Sequence, residues 1–420
     1  MSSPTPTSLV VETLPVEYSD SIVEILPQDS PLLWWKRGEG FIGIEECARY
    51  TFSGPSRFTD ASALWADIVS TAVVTDSVNL RGTGLISIST FAFSDDSALH
   101  STLIIPHYIV GRTDGVTWFT RIRLVQDSDD NLTTEMAQQI ISGLVARKAT
   151  ESSPLSFTSH DQDLFTGKVE KALSRIAAGD VEKIVLSRTQ RAPVSPRFDL
   201  RSALRHLAES YPDCWTFSVD GFFGSSPETL INVTGGHFTA KVLAGTAPRG
   251  TDSATDIQMA SDLASSSKDL DEHGFASRSV YKALDPLVSQ LSMSDDPYTL
   301  KLPNVWHLAS DIAGELSPEV SSLDIVKALH PTAAVAGTPT AQAVLLISEI
   351  EGFDRGRYAG PVGWMGANGD GQWAIGLRCA QLFGDRIEAY AGGGIVSDSI
   401  PEKEYVETEM KFRPVLEALS

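Results

Sequence analysis

The stretch CWTFSVDGFFGSSPETLINVTGGHFTAKVLAGTAPRG, residues 214–250, decides how the rest of the chain is read. Short apolar and β-branched runs are broken by turn signals at Asp220-Gly221, at Ser225-Ser226-Pro227 and at Gly235-Gly236. That spacing makes an antiparallel meander, strand after strand on tight turns, rather than strands separated by crossover helices. Upstream, DLFTGKVEKALSRIAAGD (163–180) has apolar residues at helical spacing and a glycine stop, EKIVLSRTQRA (182–192) is a strand, and a helix follows at 198–210. Downstream, residues 251–292 keep a helical period, and helices are expected at 322–330 and 339–350. From residue 358 the chain returns to strands in YAGPVGWMG, WAIGLRCAQLF and RIEAYAGGGIV, with a hairpin turn at GANGDGQ, and closes on a helix. Meanders with helices between them, and no regular βαβ alternation, predict an α+β fold.

The front of the chain is mixed. Residues 1–30 are rich in Ser, Thr and Pro and are expected to be loosely ordered. In 31–150, LISISTFAF, STLIIPHYIVGR and DGVTWFTRIRLV are strand-like and TTEMAQQIISGLVARK has helical spacing. A polar, proline-containing boundary at 152–163 separates this variable part from the part that carries the motifs, 155–420. The whole of 31–420 is read as one domain.

Bulk properties narrow the function classes. The 420 residues carry a formal net charge of -21, which argues against nucleic acid and anionic membrane surfaces as partners. An anionic small molecule remains possible if cations or backbone N–H groups gather locally. Cys47, Cys214 and Cys379 are scattered and form no CxxC, so neither a disulfide framework nor a thiolate metal site is implied. No secretory signal or membrane-spanning run is visible, and a reducing cytoplasm is the expected setting.

Several small groups point to chemistry, each with a plainer alternative. In SSSKDLDEHGF (265–275), Asp269 and Glu272 are three apart and share a helix face; in EYVETEMK (404–411), Glu404 and Glu407 do the same. Two such faces brought together suit a hard cation such as Mg²⁺, although solvated acidic faces are common in an acidic chain. AGGGIV (391–396) offers successive backbone N–H groups for a carboxylate, or simply a turn. Lys183, at the start of an apolar strand, is placed to lose a proton as a general base, or is an edge lysine. Glu228, after Pro227, is either a buried general acid or a turn carboxylate. His307 is a core histidine or a substrate anchor. AGTAPRG (244–250) is an anion contact or a turn, and Arg378 faces inward or outward with equal licence from the sequence.

The order of these blocks adds what none holds alone. KIVLSR, GSSPETL, AGTAPRG, SKDLDEH, HLASDIAGEL, LHPTAAVAGTP, RGRYAGPVGW, IGLRCA, GGGIV and EYVETEMK follow one another from about residue 160 to 418. In that order they resemble the chorismate-utilising enzymes, the isochorismate, salicylate, anthranilate and aminodeoxychorismate synthases. The resemblance implies large antiparallel sheets packed face to face with helices outside, and Mg²⁺-dependent binding of chorismate. It implies that Lys183 activates water for attack at C2 of the ring and that Glu228 protonates the departing C4 hydroxyl. Glu272 and Glu407 match the direct Mg²⁺ ligands, with Asp269 and Glu404 behind them. Gly245, Thr246, His307, Thr338, Arg378, Gly392, Gly394 and Lys411 match positions that touch substrate.

Two positions separate the subfamilies. Anthranilate synthases carry Gln where Lys183 stands, and aminodeoxychorismate synthases carry a lysine nucleophile where Ala244 stands. Lys183 with Ala244 fits water as nucleophile, and YAGPVGW with GQWAIGLRCA is similar to the isochorismate synthases. An isomerase forming isochorismate for menaquinone or siderophore synthesis is therefore expected, as a monomer. Salicylate synthase is the alternative, anthranilate synthase component I a more distant one, and a chorismate-binding subunit without turnover the non-enzyme reading. Ala333 for the usual Pro, Ala336 for Gly or Ser, and GGGIV for GAGIV depart from the family pattern beside the site.

Overall fold

The computed structural model describes residues 8–127, 130–146, 154–158, 162–195, 198–250, 252–294, 296–301 and 305–420, without the side chains of Thr246, Lys268, Glu272 and Val305. The first part of the chain forms β1 (Leu9–Pro15), β2 (Leu32–Lys36), β3 (Glu39–Phe52), α1 (Arg57–Thr71), β4 (Val73–Asp76), β5 (Ile86–Thr90), β6 (Ser101–Thr113), β7 (Val116–Leu124) and α2 (Thr134–Val145). Then come α3 (Gln162–Ala177), β8 (Lys183–Pro193), α4 (Leu200–Ser210), β9 (Trp215–Val219), β10 (Phe222–Ser226), β11 (Thr229–Thr234), β12 (His237–Pro248), α5 (Ser253–Ser265) and α6 (Ser267–Leu284). The last part holds β13 (Val288–Met293), β14 (Tyr298–Lys301), β15 (Val305–Leu316), α7 (Ser322–Leu329), β16 (Gly337–Thr338), α8 (Thr340–Glu351), β17 (Pro361–Gly366), β18 (Gly371–Ile375), β19 (Cys379–Phe383), β20 (Arg386–Ile395) and α9 (Pro401–Ala418).

The strands pair into two arms that share β6. One arm runs β4-β1-β7-β6-β3-β2-β9-β10-β19-β20-β8-β16. The other runs β6-β5-β17-β18-β11-β12-β15, with β13 and β14 on the far edge of β15. Strand β6 serves both because it is long: Thr102–Ile104 pair with β5, and Tyr108–Thr113 pair with β7. Among the described residues every pairing is antiparallel except β1 with β4. The arms pack face to face. Phe41 of β3 meets Trp364 of β17 edge-on at 5.6 Å, and the indoles of Trp34 and Trp364 both donate to Gln372 Oε1 at 3.1 Å. Helices cover the outside, where Leu204 and Leu207 of α4 and Phe412 and Val415 of α9 bury against Phe223, Ala380 and Ala389. The α+β expectation and the face-to-face sheets hold.

Three local expectations need correction. The N-terminus is ordered from Leu9: Leu9 and Val11 alternate inward, and β1 slots between β4 and β7. The Ser/Thr/Pro content of this segment hides a period-2 pattern that two neighbouring strands complete. Residues 251–292 are not all helical. Ser266 ends α5 and caps α6, its Oγ accepting from Asp269 N at 3.2 Å, and after Pro286 the chain becomes strand β13. The triple glycine is neither a turn nor a nest of successive amides, because Gly392, Gly393 and Gly394 are extended inside β20 and paired with Ser187, Leu186 and Val185. The boundary at 152–163 falls partly outside the described residues.

Candidate active site

Lys183 opens β8, half-buried, and pairs with Thr338 of β16. The neighbouring strand explains the glycines. A Cβ on Gly394 would lie 2.9 Å from Lys183 Cε, one on Gly392 would lie 2.8 Å from Tyr358 Oη, and one on Gly393 would lie 3.1 Å from Glu404 Oε2. Three consecutive glycines thus clear room on both faces of one strand, for a lysine and a tyrosine on one side and a glutamate on the other. Beyond Tyr390, β20 has a strand partner on one edge only among the described residues. The Gly392 carbonyl turns away to accept from Lys411 Nζ at 2.8 Å. A residue's N–H and C=O share an edge in a strand, so Gly392 and Gly394 present alternate amides to that open edge.

Charges converge here from separate elements. Lys411 of α9 binds Glu407 Oε1 at 2.5 Å, and Ser399 Oγ donates to Glu404 Oε1 at 2.7 Å. Glu404 Oε2 is buried with no partner among the described residues. Burial raises the Glu404 carboxyl, the Ser399 bond opposes that, and the negative charge of Glu407 adds to it. Glu228, in the β10–β11 connection, is raised by desolvation and pulled back by Lys183, Arg378 and Lys411. Arg378 sits between β18 and β19 with φ +48, and answers the question the sequence left open: it is half-buried and its guanidinium feels Glu407 and Glu228. His307 of β15 is pushed down to about 4 by burial and by the nearby charges of Lys183 and Lys411, so it is neutral at neutral pH. Its Nδ1 reaches the Gly245 carbonyl at 3.4 Å; a carbonyl only accepts, so Nδ1 carries the proton. An acidic chain has gathered Lys183, Arg378 and Lys411 around one point, the local arrangement that an anionic substrate requires.

Gly245 is the extra residue of a bulge in the β12–β15 ladder, with φ +77, and a Cβ there would lie 3.3 Å from Asp269 Cβ. It brings the start of α6 against the site. Glu272 stands one helical turn beyond Asp269; its side chain and that of Thr246 lie outside the described residues. Among the described residues no three His, Cys, Asp or Glu side chains form a group that would hold a metal. A cavity of about 1070 Å³ adjoins, and its lining includes Lys183, Glu228, Ala244, Thr338, Phe275 and Leu329.

Not every arginine of the motifs is here. In RGRYAG, Arg355 and Arg357 are buried in ion pairs with Glu351 and Asp220, and Arg249 pairs with Asp256. Tyr358, from the same block, is the residue that sequence reasoning passed over. It is buried, stacked on Tyr390 at 5.4 Å, and its hydroxyl lies beside Gly392. A tyrosine midway between Gly356 and Gly360, just ahead of the apolar run PVGWMG, was the available signal.

Residues 4–420 match the model of a family described as chorismate binding enzyme. The isochorismate synthase DhbC of Bacillus subtilis is 41% identical over 263 residues, covering 60% of this chain and 66% of that enzyme, just under two thirds of its length. The isochorismate synthase EntC of Escherichia coli is 33% identical over 280 residues, 64% of this chain and 72% of that one. The structure of MenF, the menaquinone-specific isochorismate synthase of Escherichia coli, superposes with a TM-score of 0.76 at 24% identity, covering 100% of this chain and 97% of that one; at that identity it speaks for the fold. Among the described residues no helix is long and apolar enough to cross a membrane.

Proposed function

The chain belongs to the chorismate-binding enzyme family, and on that premise we propose that it is an isochorismate synthase, converting chorismate to isochorismate. The observation that carries the reading is the convergence of Lys183, Arg378 and Lys411 on a desolvated Glu228, with Ala244 where a nucleophilic lysine would otherwise stand. Lys183, once it has shed its own proton, takes one from water as the water oxygen bonds to C2 of the ring. Both ring double bonds shift, C1=C2 to C1=C6 and C5=C6 to C4=C5, the C4–O bond breaks, and Glu228 gives its proton to the departing hydroxyl, so one water enters and one leaves. Desolvation suits Glu228 to this, because it raises the carboxyl and so favours its protonated form against the pull of Lys183, Arg378 and Lys411. Arg378 holds the enolpyruvyl carboxylate. Lys411, Thr338, neutral His307, the backbone of Gly245 and Thr246, and the open-edge amides of Gly392 and Gly394 orient the rest.

The acidic residues fit a hard cation. Glu404 Oε2 is buried without a partner among the described residues, and a second carboxylate, Glu407, stands close enough to raise that group further. Glu407 with Glu272 would hold Mg²⁺, with Glu404 and Asp269 behind them, and the ion when bound neutralises the ring carboxylate. The product would feed menaquinone or siderophore synthesis, and the protein would act as a monomer.

Incubating the pure protein with chorismate and Mg²⁺ should yield isochorismate by chromatography. None formed overturns the reading, and equal amounts of salicylate and pyruvate would make the protein a salicylate synthase instead. The glycine argument has its own test. Gly394→Ala should leave folding intact and lower kcat by about 10- to 100-fold, since a displacement of about 1 Å at a catalytic group costs that much. An unchanged kcat would mean that Lys183 does not need the space.

A further inference from the structure

One residue of the SKDLDEH block has no part in the reaction above. His273 lies on α6, 1% exposed, one turn after Asp269 and next to Glu272. Its Nδ1 is 2.9 Å from the carbonyl of Ala244 on β12, and its Nε2 is 2.8 Å from Ser310 Oγ on β15. The carbonyl can only accept, so Nδ1 donates; the neutral ring then accepts at Nε2 from the serine hydroxyl. Both polar atoms of a buried imidazole are satisfied, and each goes to a different strand. Ala244 is the last residue before the bulge that presents Gly245 and Thr246 to the site.

Helix α6 touches that bulge at two levels. Asp269 meets Gly245 so closely that a Cβ on the glycine would lie 3.3 Å from Asp269 Cβ. One turn on, His273 is bonded to Ala244. Two contacts a turn apart fix both the slide and the rotation of a helix on a strand, and the residue held in rotation beside the second is Glu272. A hydrophobic residue in place of His273 would fill the space, but it would leave the Ala244 carbonyl and Ser310 without a partner and the rotation undefined.

We propose that His273 is a positioning residue for the metal ligands: by bonding the Ala244 carbonyl it locks the turn of α6 that carries Asp269 and Glu272 onto the bulged strand. The inference rests on the chorismate reading only for the identity of the ion, so it is tested by binding. The probe is Mn²⁺ alone, titrated into the full-length protein and followed by the paramagnetic resonance of the free ion. His273→Ala should weaken Mn²⁺ binding about 10-fold or more, the scale on which supporting groups tune metal sites. Asn places its N–H₂ where Nδ1 stands and Gln places its own near Nε2, so His273→Asn and Ser310→Ala should stay within about threefold of the parent while His273→Gln falls with alanine. Parental affinity in His273→Ala, or His273→Asn as weak as His273→Gln, overturns the proposal. If the alanine variant does not fold, the asparagine–glutamine contrast decides. A parent protein that binds no Mn²⁺ overturns both this and the metal assignment, whereas one that binds Mn²⁺ but makes no isochorismate overturns the activity alone.

Discussion

Lys183→Ala should lower kcat for isochorismate formation by a factor of about 10² to 10⁴, the contribution of a positioned general base, while Mg²⁺-dependent chorismate binding largely survives. The lysine stands at the first residue of a strand whose next residues are buried, and its stem lies against Gly394. Deleting it leaves Arg378 and Lys411 to hold the dicarboxylate. It also removes a positive charge, which gives the variant a signature independent of turnover. Burial is the main reason His307 is held at about 4, and Lys183 is the largest single charge acting in the same direction. Without that charge the His307 value should rise toward the ordinary range, by a part only, because the burial remains. Proton resonance titration of the folded variant would read this shift. Near-normal turnover would remove Lys183 from its role, and an unmoved His307 would mean that the two side chains are not neighbours in solution.

Much of the proposed site could be assembled from the sequence because its residues lie in blocks whose order along the chain is itself specific. Lys183, Glu228 and the two acidic pairs each had a bland reading taken alone. What could not be read was the environment that decides between the readings. GGGIV has the composition of a turn, and only the register of β20 on β8 shows that its glycines are there for what they do not carry. The two arginines of RGRYAG look as available as Arg378, yet Arg355 and Arg357 are consumed by Glu351 and Asp220, residues adjacent in one case and remote in the other. His273 hides for a similar reason: a histidine beside glutamate invites a ligand reading, whereas its bonds run to a carbonyl and a hydroxyl. Period finds elements; which face of an element meets which neighbour is set by pairings over a hundred residues away.

The buried pair of Arg355 and Glu351 should be the most costly part of the scaffold to break. Glu351 is 2% and Arg355 3% exposed. Glu351 Oε1 accepts from Ser187 N at 2.6 Å, from Ser187 Oγ at 2.8 Å and from Arg355 Nη2 at 2.6 Å, while Oε2 accepts from Arg355 Nε at 2.9 Å. Arg355 in turn donates to the carbonyls of Val185 at 2.7 Å and Val335 at 2.9 Å. The pair therefore fastens α8 to β8 at Val185, two residues from Lys183, and to the loop that leads into Thr338, the ladder partner of Lys183. An arginine cannot shed its charge to escape a dry interior. Glu351→Ala should accordingly cost about 3–5 kcal/mol, read from the shift of a chemical denaturation curve, because it strands that charge. Removing the charge as well, in Glu351→Leu with Arg355→Met, should recover part of the loss but not all. An apolar pair of similar volume has no desolvation penalty, yet it leaves the Ser187 N–H and two carbonyls without the partners they have now. A single variant that loses less than about 1 kcal/mol, or a double variant less stable than Glu351→Ala, would show that the pair is not what holds β8 in place.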